Sequence, residues 1–483
     1  MAIVEKLKTG ELARLVPTLP DSKKEERATS VLLSIFRVVP SFAKDVLELT
    51  GASVGARARV ECYTEVTFKG DALKGIRPDG LIVVYSGKKE WSALVESKIG
   101  NAGLKPEQVE SYAQAVKQLG ADAFVTISNE FAALPTHHPV EINKALAKKV
   151  NIFHFSWLSL ICKAILLSEN KVVDDPEQAY LLAEMIRYFN SPNSGVSAFT
   201  RMGPGWREVC DRVQQGAPLQ GIQQDVENAI GSWLQLMKFL SLRLSIATAS
   251  AVQLVVQRRF QDDAPAQQQE LILNLTKSNC LDASLTVPNA AAPLDVSADF
   301  ARRVLSVSMK LQSPQDIKRP TAAINWLTRQ LKDVKDKASV TVRVHWPKRI
   351  AMTVASLELA HDKPELLIPE NCKEIPKELE VVIVVDLAGK FRGSQTFVDE
   401  SENGLKFFYK TIGQKLTKWQ PKAPEIKKKE RERSSINVTS GAFSEEADRL
   451  ELTRDSDEDV SSEDIKVVVP PQVAEDSADE SVA

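Results

Sequence analysis

The sequence has few cysteines, and they lie far apart. Only five occur among its 483 residues, and no two of them form a Cys-x-x-Cys pair. This spacing argues against a structural zinc site and against a disulfide framework. We therefore expect a reduced protein located in the cytoplasm.

Long hydrophobic runs are absent as well. The most apolar segment, residues 151–167, is interrupted by His154 and Lys163 and is short for a bilayer span. The N-terminus carries charges throughout and lacks the apolar core of a signal peptide. We expect no association with a membrane, and we interpret the apolar segment as a buried strand followed by a helix.

The chain also has little excess charge, with a formal net charge of −2. No general basic excess indicates nucleic-acid binding, so a local patch would have to provide it. The pairs Arg258-Arg259 and Lys348-Arg349 are candidates for phosphate contacts, although isolated basic pairs usually lie on the surface for other reasons. The sequence contains no glycine-rich phosphate loop, and nothing in it supports an intrinsic ATP motor.

Helical and strand patterns divide the chain into segments. The order α-α-β-β-β-α-β-β-α near the N-terminus predicts an α/β domain with a mixed sheet flanked by helices. Two successive helices are predicted from about residue 221 to 260, then a loop at 261–269 and a second α/β module. The predicted divisions are a first domain (residues 1–195), a helical connector (205–260), the second module (261–421) and a tail (422–483).

The tail begins with a basic excess and becomes acidic and serine-rich. Its composition predicts disorder, and we expect it to do no more than solvate the protein. The alternative interpretation is mimicry of nucleic acid or tethering of a basic partner. The tail and the second module are candidate surfaces for a protein partner, and the second module could also mediate homo-oligomerisation.

Residues 57–68 alternate between apolar and polar side chains, which predicts a strand. The predicted inner face carries Val60, Cys62, Thr64, Val66 and Phe68. A hairpin is predicted next, with strands at 79–86 and 91–98 joined by residues 87–90. Its expected register pairs Ser86 with Trp91, which places Asp79 opposite Lys98.

This hairpin brings Asp79, Glu96 and Lys98 to one face at one end of the two strands. A slip of one residue would separate them. Two carboxylates on neighbouring strands form a hard-oxygen site suited to Mg²⁺ or Mn²⁺. Such a metal lowers the pKa of bound water and stabilises a leaving oxygen in phosphodiester hydrolysis. An adjacent lysine can hold the attacking water and offset developing charge.

The residues of this region resemble a known signature. Pro78-Asp79, followed after sixteen residues by Glu96-Ser97-Lys98, resembles the motif of the PD-(D/E)XK nuclease superfamily. The stretch from Gln108 to Tyr112 is similar to the QxxxY motif of its RecB-type branch, and Gly75 also fits that branch. The resemblance covers about residues 20 to 170 and says nothing of the rest.

The resemblance implies a restriction-endonuclease-like fold and a role for each matched residue. Asp79 and Glu96 would be metal ligands, assisted by the main-chain carbonyl of Ser97. Lys98 would act as a base or stabilise charge, and Gln108 would orient water or phosphate. Tyr112 would support Gln108 or contact DNA. Many members add an acidic residue from the first helix or strand, and the candidates here are Glu26, Glu61 and Glu65.

Three histidines have simpler interpretations than metal binding. His137 and His138 could bind a metal, but a polar loop is the expected setting. His154 lies in an aromatic run, and we expect it to be packed rather than catalytic. Neither prediction adds a group to the hairpin site.

The sequence therefore predicts a Mg²⁺-dependent nuclease that acts on DNA, with the second module selecting substrate or gating activity. A nuclease without a motor suits restriction, phage defence or repair, an association that rests on fold alone. Two alternatives stay open. One is a catalytically inert nucleic-acid-binding or scaffold protein on the same fold, and the other is a nuclease directed at RNA.

Overall fold

The computed structural model describes residues 2–20, 22–70 and 73–421. The predicted tail, 422–483, lies outside the described residues. The chain up to Pro421 forms one unit, in which two β-sheets are flanked by helices. This arrangement confirms the α/β class. The domain divisions near residues 195 and 260 stay predictions.

The first sheet contains six strands, which lie side by side in the order of the sequence. Its strands are β1 (Leu7–Leu12), β2 (Arg59–Phe68), β3 (Gly80–Ser86), β4 (Lys89–Ser97), β5 (Ala123–Ser128) and β6 (Asn151–Ser156). Neighbours from β1 to β4 are antiparallel, whereas β4, β5 and β6 are parallel. The sheet is mixed, as predicted. Strand β1 was not predicted, because its side chains are mostly exposed and show no apolar alternation.

Helices cover both faces of this sheet, and the pattern of apolar residues predicted most of them. One face packs against α1 (Lys24–Val38), α2 (Pro40–Leu47), α5 (Trp157–Glu169) and α6 (Pro176–Phe189). The other face packs against α3 (Pro106–Leu119) and the short α4 (Lys144–Ala147). Because both faces are covered, the central strands are buried on both sides.

The predicted inner face of β2 is wrong beyond its midpoint. Cys62 packs with α1 and α2, whereas Val66 and Phe68 pack on the opposite side with α3. The cause is Glu65, whose φ of 51° marks an inserted residue. The pairing of β1 with β2 shifts at the same place. A single extra residue of this kind is a β-bulge, and it exchanges the two faces of the strand beyond it.

The predicted hairpin register is also wrong, by two residues. Ser86 pairs with Lys89 rather than with Trp91, because the turn consists of only two residues, with Gly87 at a φ of 61°. Two-residue hairpin turns require a positive φ, which glycine adopts without strain. A shift of two residues keeps every side chain on its face, so the expected convergence survives the error.

A second sheet of seven strands is antiparallel throughout. Its strands are β7 (Gln253–Leu254), β8 (Cys280–Thr286), β9 (Leu294–Asp299), β10 (Val304–Gln312), β11 (Val340–His345), β12 (Thr353–Ser356) and β13 (Glu378–Asp386). The spatial order is β12-β11-β13-β10-β9-β8-β7. The helices of this part are α7 (Trp206–Gln214), α8 (Gln223–Thr248), α9 (Ala264–Ser278), α10 (Pro320–Gln330), α11 (Leu357–Asp362) and α12 (Ser394–Thr411).

Short 3-10 helices connect several elements. They include Ile3–Lys6, Glu48–Thr50, Pro192–Ser194, Leu219–Ile222, Arg258–Phe260, Pro364–Leu367, Ala388–Arg392 and Gly413–Lys415. In the part of the chain that the structure describes, no helix is both long enough and apolar enough to cross a bilayer.

Two predictions between residues 249 and 269 are wrong. The second of two successive helices is absent, since α8 ends at Thr248 and Ala249 takes a left-handed conformation with a φ of 48°. The chain then continues into β7 rather than into a helix. The predicted loop at 261–269 contains the start of α9, where the side chain of Asp263 accepts a hydrogen bond from Ala266. This cap is typical of helix starts.

Buried aromatic side chains join α7 to the second sheet. Trp206 is 1% exposed, and its ring lies against those of Phe300, Phe391 and Phe397. Its indole Nε1 donates to the carbonyl of Phe391 at 3.0 Å. The apolar cluster that includes these rings also contains Cys162 of α5. One core is therefore shared by elements on both sides of the predicted boundary near residue 195.

A buried chain of hydrogen bonds fixes β5, β6 and the loop between them. The His154 Nε2 faces the carbonyl of Glu130 at 3.0 Å, so it carries the proton and Nδ1 accepts from Thr126 Oγ1 at 3.0 Å. His138 Nε2 then donates to Thr126 Oγ1 at 2.9 Å. With both imidazoles neutral all four ring nitrogens have partners, since His138 Nδ1 accepts from the main-chain N–H of Val140 at 3.3 Å. Thr126 also pairs with Glu96 across β5 and β4, so the chain adjoins the predicted site.

Burial lowers the pKa of both imidazoles of this chain. The pKa of His138 falls to about 3, with His154 adding to the shift, and that of His154 falls to about 4. In the unfolded chain both would take up protons near the ordinary value of 6.5. Between these values the unfolded state binds more protons at these two histidines than the folded state does, so their contribution to stability falls as the pH falls.

We expect this proton uptake to lower the free energy of unfolding by about 2 kcal/mol per histidine between pH 7 and pH 5, because one pKa unit corresponds to about 1.4 kcal/mol. Denaturant titrations at several pH values measure it. The His154→Gln variant should show a smaller decline than the native protein. His361→Gln, at an exposed histidine, is the control. Equal declines in all three proteins would contradict the prediction.

Candidate active site

The predicted site residues meet at one end of the first sheet. Asp79 precedes β3, Glu96 and Ser97 end β4, and Lys98 follows directly. The main-chain N–H of Ser97 donates to Asp79 Oδ2 at 2.7 Å. Glu96 is 2% exposed. The Asp79 side chain and the main chain at the end of β4 are thus joined by a hydrogen bond, which agrees with the predicted convergence of Asp79 and Glu96.

Lys98 is the cation of this cluster. Its Nζ lies 2.6 Å from Glu96 Oε1 and 3.0 Å from Glu25 Oε1. It also donates to the carbonyl of Ser97 at 3.0 Å. The side chain of Lys98 is 15% exposed, so these ionic contacts are only partly screened by water. The three donor positions of the ammonium group all have partners.

Glu25 in the first turn of α1 is a site residue that the sequence reasoning missed. Besides contacting Lys98, its carboxylate accepts from the main-chain N–H of Ile99 at 3.3 Å. The signal was present in the helical periodicity. Glu25 lies three and four residues before Ala28 and Thr29 and seven before Leu32, and these three are buried. Positions spaced in this way share one face of a helix.

The acidic candidates named from the sequence make other contacts. Glu26 pairs with Lys23 at 2.7 Å. Glu61 pairs with Arg59 at 2.5 Å and accepts from the Tyr63 hydroxyl. Glu65, on the bulge, pairs with Arg77. The structure thus brings Glu25 to Lys98, and it pairs all three candidates with residues outside the cluster.

Helix α3 contributes Gln108 and Tyr112, which lie one turn apart. Pro106 occupies the start of this helix, where its missing N–H costs nothing. Gln108 Nε2 donates to Glu96 Oε1 at 2.6 Å. The hydroxyl of Tyr112 donates to the carbonyl of Arg77 at 3.0 Å and lies 3.5 Å from Gln108 Nε2. The amide therefore touches the cluster directly, and the phenol holds the segment leading to Asp79.

Two further buried groups hold the end of β4, and the sequence reasoning assigned neither of them to the site. The Thr29 hydroxyl lies 2.5 Å from Ser97 Oγ and donates to the carbonyl of Glu25. The indole of Trp157, which is fully buried, donates to the carbonyl of Lys98 at 2.8 Å. Helices α1 and α5 therefore both fix the main chain that carries the catalytic candidates.

Gly80 allows α1 to approach the strand. A Cβ at this position would lie 2.5 Å from Leu33 Cδ1 and 3.2 Å from the carbonyl of Tyr63. Only a residue without a side chain leaves room for this packing. The glycine after Asp79 thus helps to place the helix that supplies Glu25.

Burial shifts the ionisation of all three charged groups of the hairpin. It raises the pKa of Asp79 to about 6, although the Ser97 N–H acts in the opposite direction. It raises the pKa of Glu96 to about 7, with Asp79 adding to the shift and Lys98 only partly offsetting it. For Lys98 burial opposes the charge, but the surrounding carboxylates outweigh it and raise its pKa.

One oxygen of the site is left without a partner. Glu96 Oε2 is buried and makes no hydrogen bond with the residues that the structure describes, whereas Oε1 accepts from both Lys98 and Gln108. A buried carboxylate oxygen without a donor costs free energy unless something else contacts it. Across the described ranges, no group of three or more His, Cys, Asp or Glu side chains is spaced to hold a metal ion. Any metal here would rest on two carboxylates and main-chain oxygen.

The other residues singled out from the sequence have structural partners. Arg259 pairs with Glu270 and stacks on the ring of Phe260. Lys348 pairs with Glu374 at 2.7 Å. His137 is buried rather than in an open polar loop, and its Nε2 lies 2.9 Å from the carbonyl of Phe260. His154 is packed, as expected.

Comparisons with known proteins complete the description of this site. The chain matches no protein-family model, no curated protein and no solved structure.

Proposed function

We propose that this protein is a metal-dependent nuclease whose active site is the cluster of Asp79, Glu96 and Lys98, supported by Glu25 and Gln108. The observation that carries the proposal is the meeting of two buried carboxylates and a lysine, with an orphaned oxygen on Glu96. Perturbed ionisable groups in contact are typical of catalytic sites. The resemblance of residues 78–112 to the motifs of the PD-(D/E)XK superfamily, which implies a restriction-endonuclease-like fold, supports the same proposal.

The donor set fits Mg²⁺ or Mn²⁺. These ions prefer carboxylate and carbonyl oxygens, and Asp79, Glu96 and the carbonyl of Ser97 supply them. Burial raises the pKa of both carboxyl groups, and a bound cation would favour their ionised forms. Glu96 Oε2, which no described residue contacts by a hydrogen bond, is the oxygen that could bind the cation. When bound, such a metal would activate water and stabilise a leaving oxygen.

The side chains of the chain itself would divide the remaining work. Lys98 already donates to Glu96 and Glu25, and its raised pKa keeps it charged, so it can stabilise a phosphoryl oxygen that gains negative charge. Glu25 restrains Lys98 and contacts the main chain of Ile99. Gln108 provides an amide donor on the Glu96 side, which can orient water or a phosphate oxygen. Thr29 and Trp157 hold these groups without contacting the substrate.

DNA remains the proposed substrate, with the second sheet and its helices as the part that selects it. We therefore propose assays with single-stranded, duplex and branched DNA and with RNA, each with and without Mg²⁺. If the protein cleaved only RNA, RNA would replace DNA as the proposed substrate. Failure to cut any of them, together with no metal binding, would favour an inert binding or scaffold protein.

We expect Asp79→Ala, Glu96→Ala and Lys98→Ala each to reduce Mg²⁺-dependent cleavage by at least about 100-fold. The first two remove a proposed metal ligand, and the third removes the positive charge that would stabilise the transition state. Lys117→Ala, at an exposed lysine of α3, is the control and should cut normally. Thermal melting checks folding. Undiminished cleavage by the Lys98 variant would refute the proposed mechanism.

Glu25 and Glu26 form a matched pair of adjacent residues on α1. We expect Glu25→Gln to slow cleavage about 10- to 100-fold, because Lys98 loses one of its two carboxylate partners and its position is less restrained. Glu26→Gln should cleave at the native rate, since Glu26 pairs with the exposed Lys23 rather than with Lys98. Equal loss in both variants would point to damage to α1 rather than to the site.

The raised pKa values predict how metal affinity depends on pH. Metal ligands must be deprotonated, and one pH unit below its pKa a carboxyl group is about one-tenth ionised. With Glu96 at about 7, we expect the affinity for Mn²⁺ to fall at least about tenfold from pH 8 to pH 6. Isothermal titration calorimetry measures this directly, without any cleavage. A constant affinity over this range would contradict the assignment of Glu96 as a ligand.

A further inference from the structure

A second recessed site lies away from the catalytic cluster, beside α10. A cavity of about 490 Å³ is lined there by two indoles, Trp326 of α10 and Trp419 of the segment after α12. The same cavity is bordered by Asp316, Ile317 and Arg329. None of the catalytic candidates lines it. Its volume lies within the range of small-molecule sites.

One side chain links the two segments that carry the indoles. Gln330, at the end of α10, accepts from the main-chain N–H and the hydroxyl of Thr417 at 2.7 and 3.0 Å. Its amide nitrogen donates to the carbonyl of Trp326 at 3.3 Å. The segment that carries Trp419 is therefore hydrogen-bonded to the helix that carries Trp326. The cavity is formed before any ligand arrives, which reduces the entropy lost on binding.

Apart from Gln330, the polar side-chain groups of this cavity have no partners within the described ranges. Neither indole N–H makes a hydrogen bond, and the side chains of Arg329 and Asp316 make neither a hydrogen bond nor an ion pair there. Both tryptophans are half-buried, whereas both charged residues are exposed. A half-buried tryptophan ordinarily covers core or meets a partner. Here two indoles, a guanidinium and a carboxylate border the same space, and no described residue occupies their bonding groups.

These groups match the chemistry of one class of ligand. Indole faces stack on planar bases, and a guanidinium donates to two adjacent acceptors, for which the O6 and N7 of guanine are the commonest target. A carboxylate accepts from two adjacent donors, and guanine carries N1–H and an amino group side by side. We propose that this cavity binds a guanine base, stacked on Trp326 or Trp419 and held at its edges by Arg329 and Asp316.

Quenching of tryptophan fluorescence in the full chain measures the binding. The titrations use guanosine, adenosine, cytidine and uridine monophosphates in buffer with a chelator. We expect the guanosine nucleotide to bind at least about tenfold more tightly than the other three, a ratio that corresponds to about 1.4 kcal/mol. Single-stranded oligonucleotides with one guanine form the second arm. Tighter binding of the oligonucleotide would identify a strand as the source of the base, and tighter binding of the monophosphate would identify a free nucleotide.

Variants test each proposed contact. At least one of Trp326→Ala and Trp419→Ala should weaken binding about 10- to 100-fold, because that variant loses the indole on which the base stacks. Asp316→Asn should remove the preference for guanine while retaining stacking. Arg302→Ala, at an exposed arginine outside the cavity, is the control and should bind as the native protein does. Thermal melting confirms that each variant is folded.

Several results would overturn the proposal. They are equal affinity for all four nucleotides, no quenching by any of them, or unchanged affinity in both tryptophan variants. Capture of a proline-rich peptide in place of nucleotides would also overturn it. The assay contains no divalent metal, so its outcome does not depend on the proposed nuclease activity. The Glu96→Ala variant should bind guanine normally, which keeps failure of one proposal separate from failure of the other.

Discussion

The buried negative charge at the end of β4 is the constraint on which the rest of the first sheet depends. Glu96 lies almost wholly inside the protein, where an ionised carboxylate is costly unless it is paired. Lys98 and Gln108 both converge on its Oε1. Helix α3 must therefore begin where it does, and α1 must approach closely enough for Glu25 to reach Lys98. A small glycine at position 80 makes that approach possible.

The sequence allowed the site to be predicted more accurately than the strand pairing around it. Asp79, Glu96 and Lys98 were placed together because strand alternation depends only on whether a register shift is odd or even, and the actual error was two residues. The bulge at Glu65 could not be predicted, because an inserted residue leaves no mark in composition. Glu25 was missed for a different reason. It shares a face with Ala28, Thr29 and Leu32, whereas Glu26, the candidate named from the same helix, lies one position further on and pairs with Lys23.

The region beyond residue 200 was predicted less well, and helix α8 shows why. It buries 13 of its 26 residues, and apolar residues continue beyond its end, at Val252, Leu254 and Val255, so that end was not visible in the pattern. The left-handed turn at Ala249 is adopted by a residue that has no preference for it. Strand β9 and helices α7 and α9 were missed, whereas β10, β11 and β13 were predicted from their alternating or continuous apolar runs.

The bulge in β2 has a consequence for how this chain can change in length. One strand serves two separate cores, the first through Cys62 and the second through Val66 and Phe68. Removal of a single residue between them would move the side chains of the second half of β2 to the opposite face of the sheet. Different side chains would then face α3. The number of residues in this strand is therefore as constrained as their identity, whereas exposed β1 beside it has no such restriction. Natural variation in length should concentrate in loops and avoid β2.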